Sequence, residues 1–145
     1  MIVKFKKLVP EAITPIYQGG FGYSCAFDLH AVAKDVYADY VKYGTGLAFE
    51  IPTGYCGLVL PRSSIYKKNF VLTNSVGLID SQYRGEIIFN FKIIRDPTDH
   101  RWINTYELRD RIGQLLIIET PVVTLEETEL TETKRGTHGF GNSGN

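Results

Sequence analysis

Short apolar runs of strand length, broken by glycine, proline and polar turns, make up most of this chain. MIVKFKKLV alternates well enough for a first strand, which Pro10 closes. TGLAFEIPTGYCGLVLP, from Thr45 to Pro61, predicts two short strands around the turn Pro52-Thr53-Gly54. Ile65 to Asn69 is the one stretch that predicts a short helix. VGLI, from Val76, and IIFNF, ending at Phe91, flank a polar turn with Gly85 at its exit, which is a hairpin signal. Leu115–Ile118 predicts a buried strand ended by Pro121. The pattern implies one all-β domain. A glycine-rich loop at Pro15–Tyr23 has no helix pattern or P-loop lysine after it, so it reads as a connection. The stretch Ile93–Leu108, with His100 and Trp102, reads as an extended surface loop around Asp96–Tyr106.

Composition narrows the function classes. Nine tyrosines, eight phenylalanines and fourteen glycines suit a turn-rich β protein, and 145 residues suffice for a real core. A formal net charge of zero argues against a stable nucleic-acid partner. No apolar run approaches membrane-spanning length, and the N-terminus is too charged for a signal peptide, so a cytoplasmic setting is expected (host cytoplasm if the source is viral). Cys25 and Cys56 sit among apolar neighbours without metal-type spacing, which predicts buried free thiols.

Chemistry concentrates at a few places. Asp80, Tyr83 and Arg84 share the turn of the expected hairpin, where exposed backbone could pair with a planar base and Asp80 could act as a general base. Asp28 lies in an apolar strand, where burial is costly unless the carboxylate binds something. His30, with no second ligand at metal spacing, reads as a packing or surface residue. Arg62, Ser63 and Ser64 precede the short helix; the serines suit capping, and the three together suit a phosphate. From Glu126 the chain turns polar and then glycine-rich, as mobile tails do.

Five segments also resemble the signature motifs of the trimeric deoxyuridine triphosphatases (dUTPases), in the family's order. They are Ser24–Ala31 around Asp28, the run Pro61-Arg62-Ser63-Ser64, GLIDSQYRG from Gly77, Arg111–Leu115, and Arg135–Gly144. Three positions depart from the family pattern. Ala26 stands for a glycine, Gln82 for a second acid, and Arg109 for a turn glycine, which puts the local backbone in question.

The resemblance implies a distorted jelly-roll β-barrel with one short helix, roughly residues 1–130, and a flexible C-terminal arm over roughly 131–145. It implies a homotrimer with shared active sites. One subunit would give the first, second and fourth motifs, another the hairpin, and a third the arm. The implied reaction is hydrolysis of dUTP to dUMP and pyrophosphate. Asp80 would be the base, and Asp28 would hold Mg²⁺ through water. Asn74, Gly77, Leu78, Ile79, Tyr83 and Ile88 would hold the nucleoside. Arg62, Ser63, Ser64, Gln114, Arg135, Gly141 and Ser143 would hold the phosphates, with Phe140 stacked on the base. Two alternatives stay open: a dCTP deaminase-like enzyme, and a dUTPase whose long loop adds protein-binding regulation.

Overall fold

The computed structural model describes residues 1–17, 22–94 and 104–139. Among the described residues ten strands are formed: β1 (Lys4–Lys7), β2 (Phe27–His30), β3 (Ala33–Val36), β4 (Tyr40–Gly44), β5 (Leu47–Glu50), β6 (Tyr55–Pro61), β7 (Phe70–Leu72), β8 (Gly77–Ile79), β9 (Ile88–Ile93) and β10 (Arg111–Glu119). One antiparallel sheet has the order β2-β10-β6-β8, a second β3-β4-β9-β7, and β1 pairs with β5 as a ribbon. Strands β7 and β9 alternate buried and more exposed positions, as a half-buried sheet requires. Leu29, Val59, Ile112 and Leu115 of the first sheet meet Val41, Tyr43, Phe89 and Phe91 of the second, all buried.

Tyr43, Phe70, Phe91 and Tyr106 pack edge-on and stacked at centroid distances of 5.3–6.3 Å. The Tyr43 hydroxyl donates to the Tyr106 carbonyl at 2.9 Å, and burial pushes its pKa up to about 12. The sheets meet closely at Gly113, where a Cβ would lie 2.0 Å from the Phe89 ring. A glycine in the middle of β10 is therefore a packing requirement, and it fixes the height of its neighbour Gln114.

Four expectations are corrected. VGLI and IIFNF do not form a hairpin: β8 pairs with β6, whereas β9 pairs with β4 and β7 in the opposite sheet. Ile87 diverts the chain, exchanging backbone hydrogen bonds with Thr45 and Leu47 before β9 begins. The helix is a 3-10 turn over Ser63–Lys67, two residues earlier than expected, with Arg62 at its N-cap and no side-chain cap. Cys25 is exposed, because it falls in the bend before β2 and escapes the strand's alternation; Cys56 is buried. Finally, in the strand expected to be buried, only Leu115 is fully covered, and Leu116, Ile117 and Ile118 are half-buried.

The residues flagged by their departure from the family pattern are accommodated in different ways. Ala26 is buried and keeps a negative φ: among the described residues only Ser75 (58°) and Arg109 (72°) are non-glycines in the left-handed region. Arg109 thus adopts the glycine conformation and bears its strain, while its N–H donates to the Ala31 carbonyl at 2.7 Å. Arg109→Gly should raise stability by a few tenths to about 1 kcal/mol, the left-handed penalty being partly offset by the greater freedom of the unfolded chain. Urea unfolding would check this; a midpoint below the parent's would show that the Arg109 side chain contributes more than its backbone costs.

From Pro121 to His138 every residue is exposed and none lies in a strand, including Val122, Val123, Leu125 and Leu130.

Candidate active site

Two groups of candidate residues stand out, one around Asp28 of β2 and one in the stretch after β8. The first surrounds Asp28, which is only 3% exposed. Its Oδ2 accepts a hydrogen bond from Arg111 Nη1 at 3.1 Å, its Oδ1 one from Gln114 Nε2 at 3.0 Å, and Arg62 Nε stands 3.7 Å away. Arg62 Nη1 in turn reaches the Ser64 hydroxyl at 3.4 Å. The register explains the convergence, since Asp28 faces Gln114 directly and Arg62 follows the end of β6. A buried carboxylate here is compensated by two guanidiniums, leaving a net positive patch suited to an anion.

The 3-10 turn leaves its first amides without a partner inside the helix, and Ser63 is exposed beside them. Neither serine acts as a side-chain cap, so the capping reading of the pair does not hold. His30 borders the same cluster with its Nδ1 buried and unpaired. Burial lowers its pKa first, and Arg111, Arg62 and Arg109 add to the shift against the opposing pull of Asp28.

The second group lines a cleft of about 190 Å³ formed by Leu78, Ile79, Asp80, Tyr83, Glu86, Ile87 and Ile88. The Asp80 carbonyl accepts from the Tyr83 N–H at 3.0 Å, closing a turn that Arg84 Nη1 braces through the carbonyls of Ser81 and Tyr83. The Tyr83 hydroxyl donates to the Glu86 carbonyl at 3.1 Å. Its ring lies over Gly85, where a Cβ would be 2.3 Å from the hydroxyl oxygen and 2.4–2.9 Å from ring atoms. That contact is the physical reason for a glycine two places after the tyrosine. Gly77, Leu78 and Ile79 form β8, the last strand of its sheet, so the backbone edge beyond them is open to a planar ligand. Asn74 reaches back to that strand: a Cβ on Gly77 would stand 3.1 Å from its Nδ2.

The two groups are far apart within one chain. Asp28, Gln114 and Leu60 lie opposite one another across β2, β10 and β6, and Leu78 lies opposite Leu58. Asp80 therefore sits three strand spacings across and about four residues along from Asp28, roughly 20 Å in all. Leu58, Leu60 and Leu116 occupy the strip between, half-buried and apolar.

Arg135 is exposed, in a turn where its Nε donates to the His138 carbonyl at 3.0 Å. Phe140, Gly141 and Ser143 lie outside the described residues, as does most of the extended loop, including His100 and Trp102. Glu86 was missed by the sequence reading; the Gly-Glu pair directly after Tyr83-Arg84 was the available signal.

A family model for dUTPase matches residues 11–144. The chain belongs to the dUTPase family. A Helicobacter hepaticus protein named deoxyuridine 5'-triphosphate nucleotidohydrolase is 40% identical over 148 residues, spanning 99% of this chain and 89% of that protein. A protein of the same name from Escherichia phage T5 is 40% identical over 129 residues, 86% of this chain and 80% of that one. Among solved structures, a Staphylococcus bacteriophage 80alpha dUTPase with dUPNHPP superposes with a TM-score of 0.79 at 25% identity, covering 99% of this chain and 98% of that chain. The two facing sheets are accordingly the dUTPase jelly-roll.

The donor set bears on a metal. Among the described residues no three His, Cys, Asp or Glu side chains gather into a cage. Asp28 fits a lesser part: each of its oxygens accepts one hydrogen bond from Arg111 or Gln114, and a carboxylate retains further lone pairs for a cation's water shell. Mg²⁺ usually keeps several waters and binds through one or two carboxylates plus substrate phosphates.

Proposed function

We propose that this chain hydrolyses dUTP to dUMP and pyrophosphate, at sites that three copies build together. The separation of about 20 Å between Asp80 and Asp28 carries the shared-site reading. A nucleoside triphosphate is too short for one chain to offer it both the base and the phosphate cluster. A second copy packed over the leucine strip of β6 and β10 would bring its Asp80 cleft beside this chain's Asp28, and the exposed segment after Pro121 is free to reach a third. The reading is a shared-site homotrimer, with roughly residues 131–145 as the arm.

The residues act as follows. The open β8 edge and Asn74 bind the uracil, whose donor and acceptor pattern cytosine does not reproduce. Tyr83 fills the space beside the sugar where a 2'-hydroxyl would stand, and Ile88 and Leu78 wall the cleft. Arg62, Ser63, Ser64 and Gln114 hold the phosphates, joined by Arg135, Gly141 and Ser143 from the arm, while Phe140 stacks on the base. Asp80 takes a proton from the water that attacks the α-phosphorus in line. Asp28 would hold the water shell of a Mg²⁺, which would supply charge neutralisation at the phosphates.

Pyrophosphate release from dUTP, dCTP and UTP, with and without Mg²⁺, tests this reading. Release from dUTP that fails on chelation, with little from the other two, is expected. Ammonia release from dCTP would instead favour a deaminase, and no turnover of any nucleotide would overturn the enzymatic reading.

A further inference from the structure

Glu86 belongs to none of the motif positions described above, yet it is tied down at two points, and its neighbour Ile87 is held as well. Its carbonyl accepts the Tyr83 hydroxyl at 3.1 Å. Its carboxylate Oε1 accepts the N–H of Gly46 at 2.7 Å, from the turn between β4 and β5. The next residue, Ile87, is clamped by the same turn: its N–H donates to the Leu47 carbonyl at 2.8 Å, and its carbonyl accepts the Thr45 hydroxyl at 2.7 Å.

The turn is shaped to receive the carboxylate. A Cβ on Gly44 would stand 2.6 Å from Glu86 Oε1, so only glycine leaves the seat open. Gly46 sits at φ 64°, and a Cβ there would meet Val9, Ala12 and Val32 at 2.6–3.1 Å. Two glycines thus allow a charged acceptor to dock against backbone at the floor of the cleft. A hydrogen bond to a carboxylate is stronger and more directional than one between neutral groups. Pinning the side chain fixes the peptide of the same residue, and that peptide's carbonyl holds the Tyr83 hydroxyl.

We infer that Glu86 is a positioning residue that sets sugar selectivity by holding Tyr83 in place through the Gly44–Gly46 turn. The inference rests on the proposed reading of Tyr83 as the barrier to the 2'-hydroxyl. Without the strut, the 80–87 loop keeps its Ile87 anchor but the tyrosine ring gains room to tilt. The cost falls on discrimination more than on the fold.

The test is kcat/KM for dUTP and UTP in the full-length parent, Tyr83→Ala, Glu86→Ala, Glu86→Gln and the Tyr83→Ala/Glu86→Ala double variant. Glu86→Ala should lower the dUTP/UTP preference about tenfold, as misplacement of a positioning group does. Glu86→Gln should stay within a few-fold of the parent, because its amide oxygen still accepts the Gly46 N–H. In the Tyr83→Ala background the second change should alter the preference no further. If Glu86→Ala does not fold, Gly44→Ala carries the same test, since its Cβ displaces the carboxylate.

An unchanged preference in folded Glu86→Ala, with Tyr83→Ala altered, overturns this inference alone. An equal shift in the Tyr83→Ala background does so too, because Glu86 would then act by another route. A Tyr83→Ala enzyme with the parent's preference overturns the reading of Tyr83 and this inference with it.

Discussion

Asp80→Asn should retain dUTP binding and lose turnover by a factor of about 10²–10⁴, the usual contribution of a positioned general base, the role proposed for Asp80. The side chain is exposed, and the turn is closed by its backbone carbonyl rather than its carboxylate, so the amide keeps the local shape. Fold and assembly should therefore survive, and KM should move little while kcat collapses. Steady-state kinetics beside binding of a non-hydrolysable dUTP analogue would separate the two. Hydrolysis within a few-fold of the parent would mean that another group takes the proton.

Mixing two dead enzymes should restore activity. Chain X carries Asp80→Asn with its arm intact; chain Y keeps Asp80 and ends at Thr133, losing Arg135, Phe140, Gly141 and Ser143. Y should fold, because every residue from Pro121 to His138 is exposed and none contributes to the core. Each homotrimer lacks a part at all three sites. Refolded together in equal amounts, about three-quarters of trimers are mixed, and about a quarter of all sites draw Asp80 from Y and the arm from X. Recovery near a quarter of the parent's specific activity is the expected result. A mixture as inactive as its components, with mixed trimers demonstrated by mass, would place base and arm on the same subunit.

Both experiments probe residues that the sequence already singled out, and the manner of their legibility differs. Asp28 stood out because a carboxylate in an apolar strand needs partners, and the structure supplies Arg62, Arg111 and Gln114. Asp80 and Tyr83 stood out through turn chemistry. What surrounds them was hidden, because pairing between distant strands leaves no trace in local pattern. VGLI and IIFNF look like hairpin partners, yet Ile87 is claimed by Thr45 and Leu47, forty residues earlier in the chain. The carboxylate seat on Gly46 is non-local in the same way. Cys25 was misplaced because apolar neighbours in sequence do not bury a residue that falls in the bend before β2. Arg109 shows the converse: a turn requirement persists although its glycine is gone, and the arginine bears the strain.

The distance between Asp28 and Asp80 within a single chain has a consequence for how the protein behaves on dilution. On the shared-site reading a lone copy is not a slow enzyme but no enzyme at all. Once the protein is dilute enough to dissociate, the observed rate falls as roughly the third power of chain concentration rather than in proportion to it. Substrate that bridges two copies also holds them together, so a saturating nucleotide delays that fall. At low abundance, then, activity becomes a threshold in the amount of protein made.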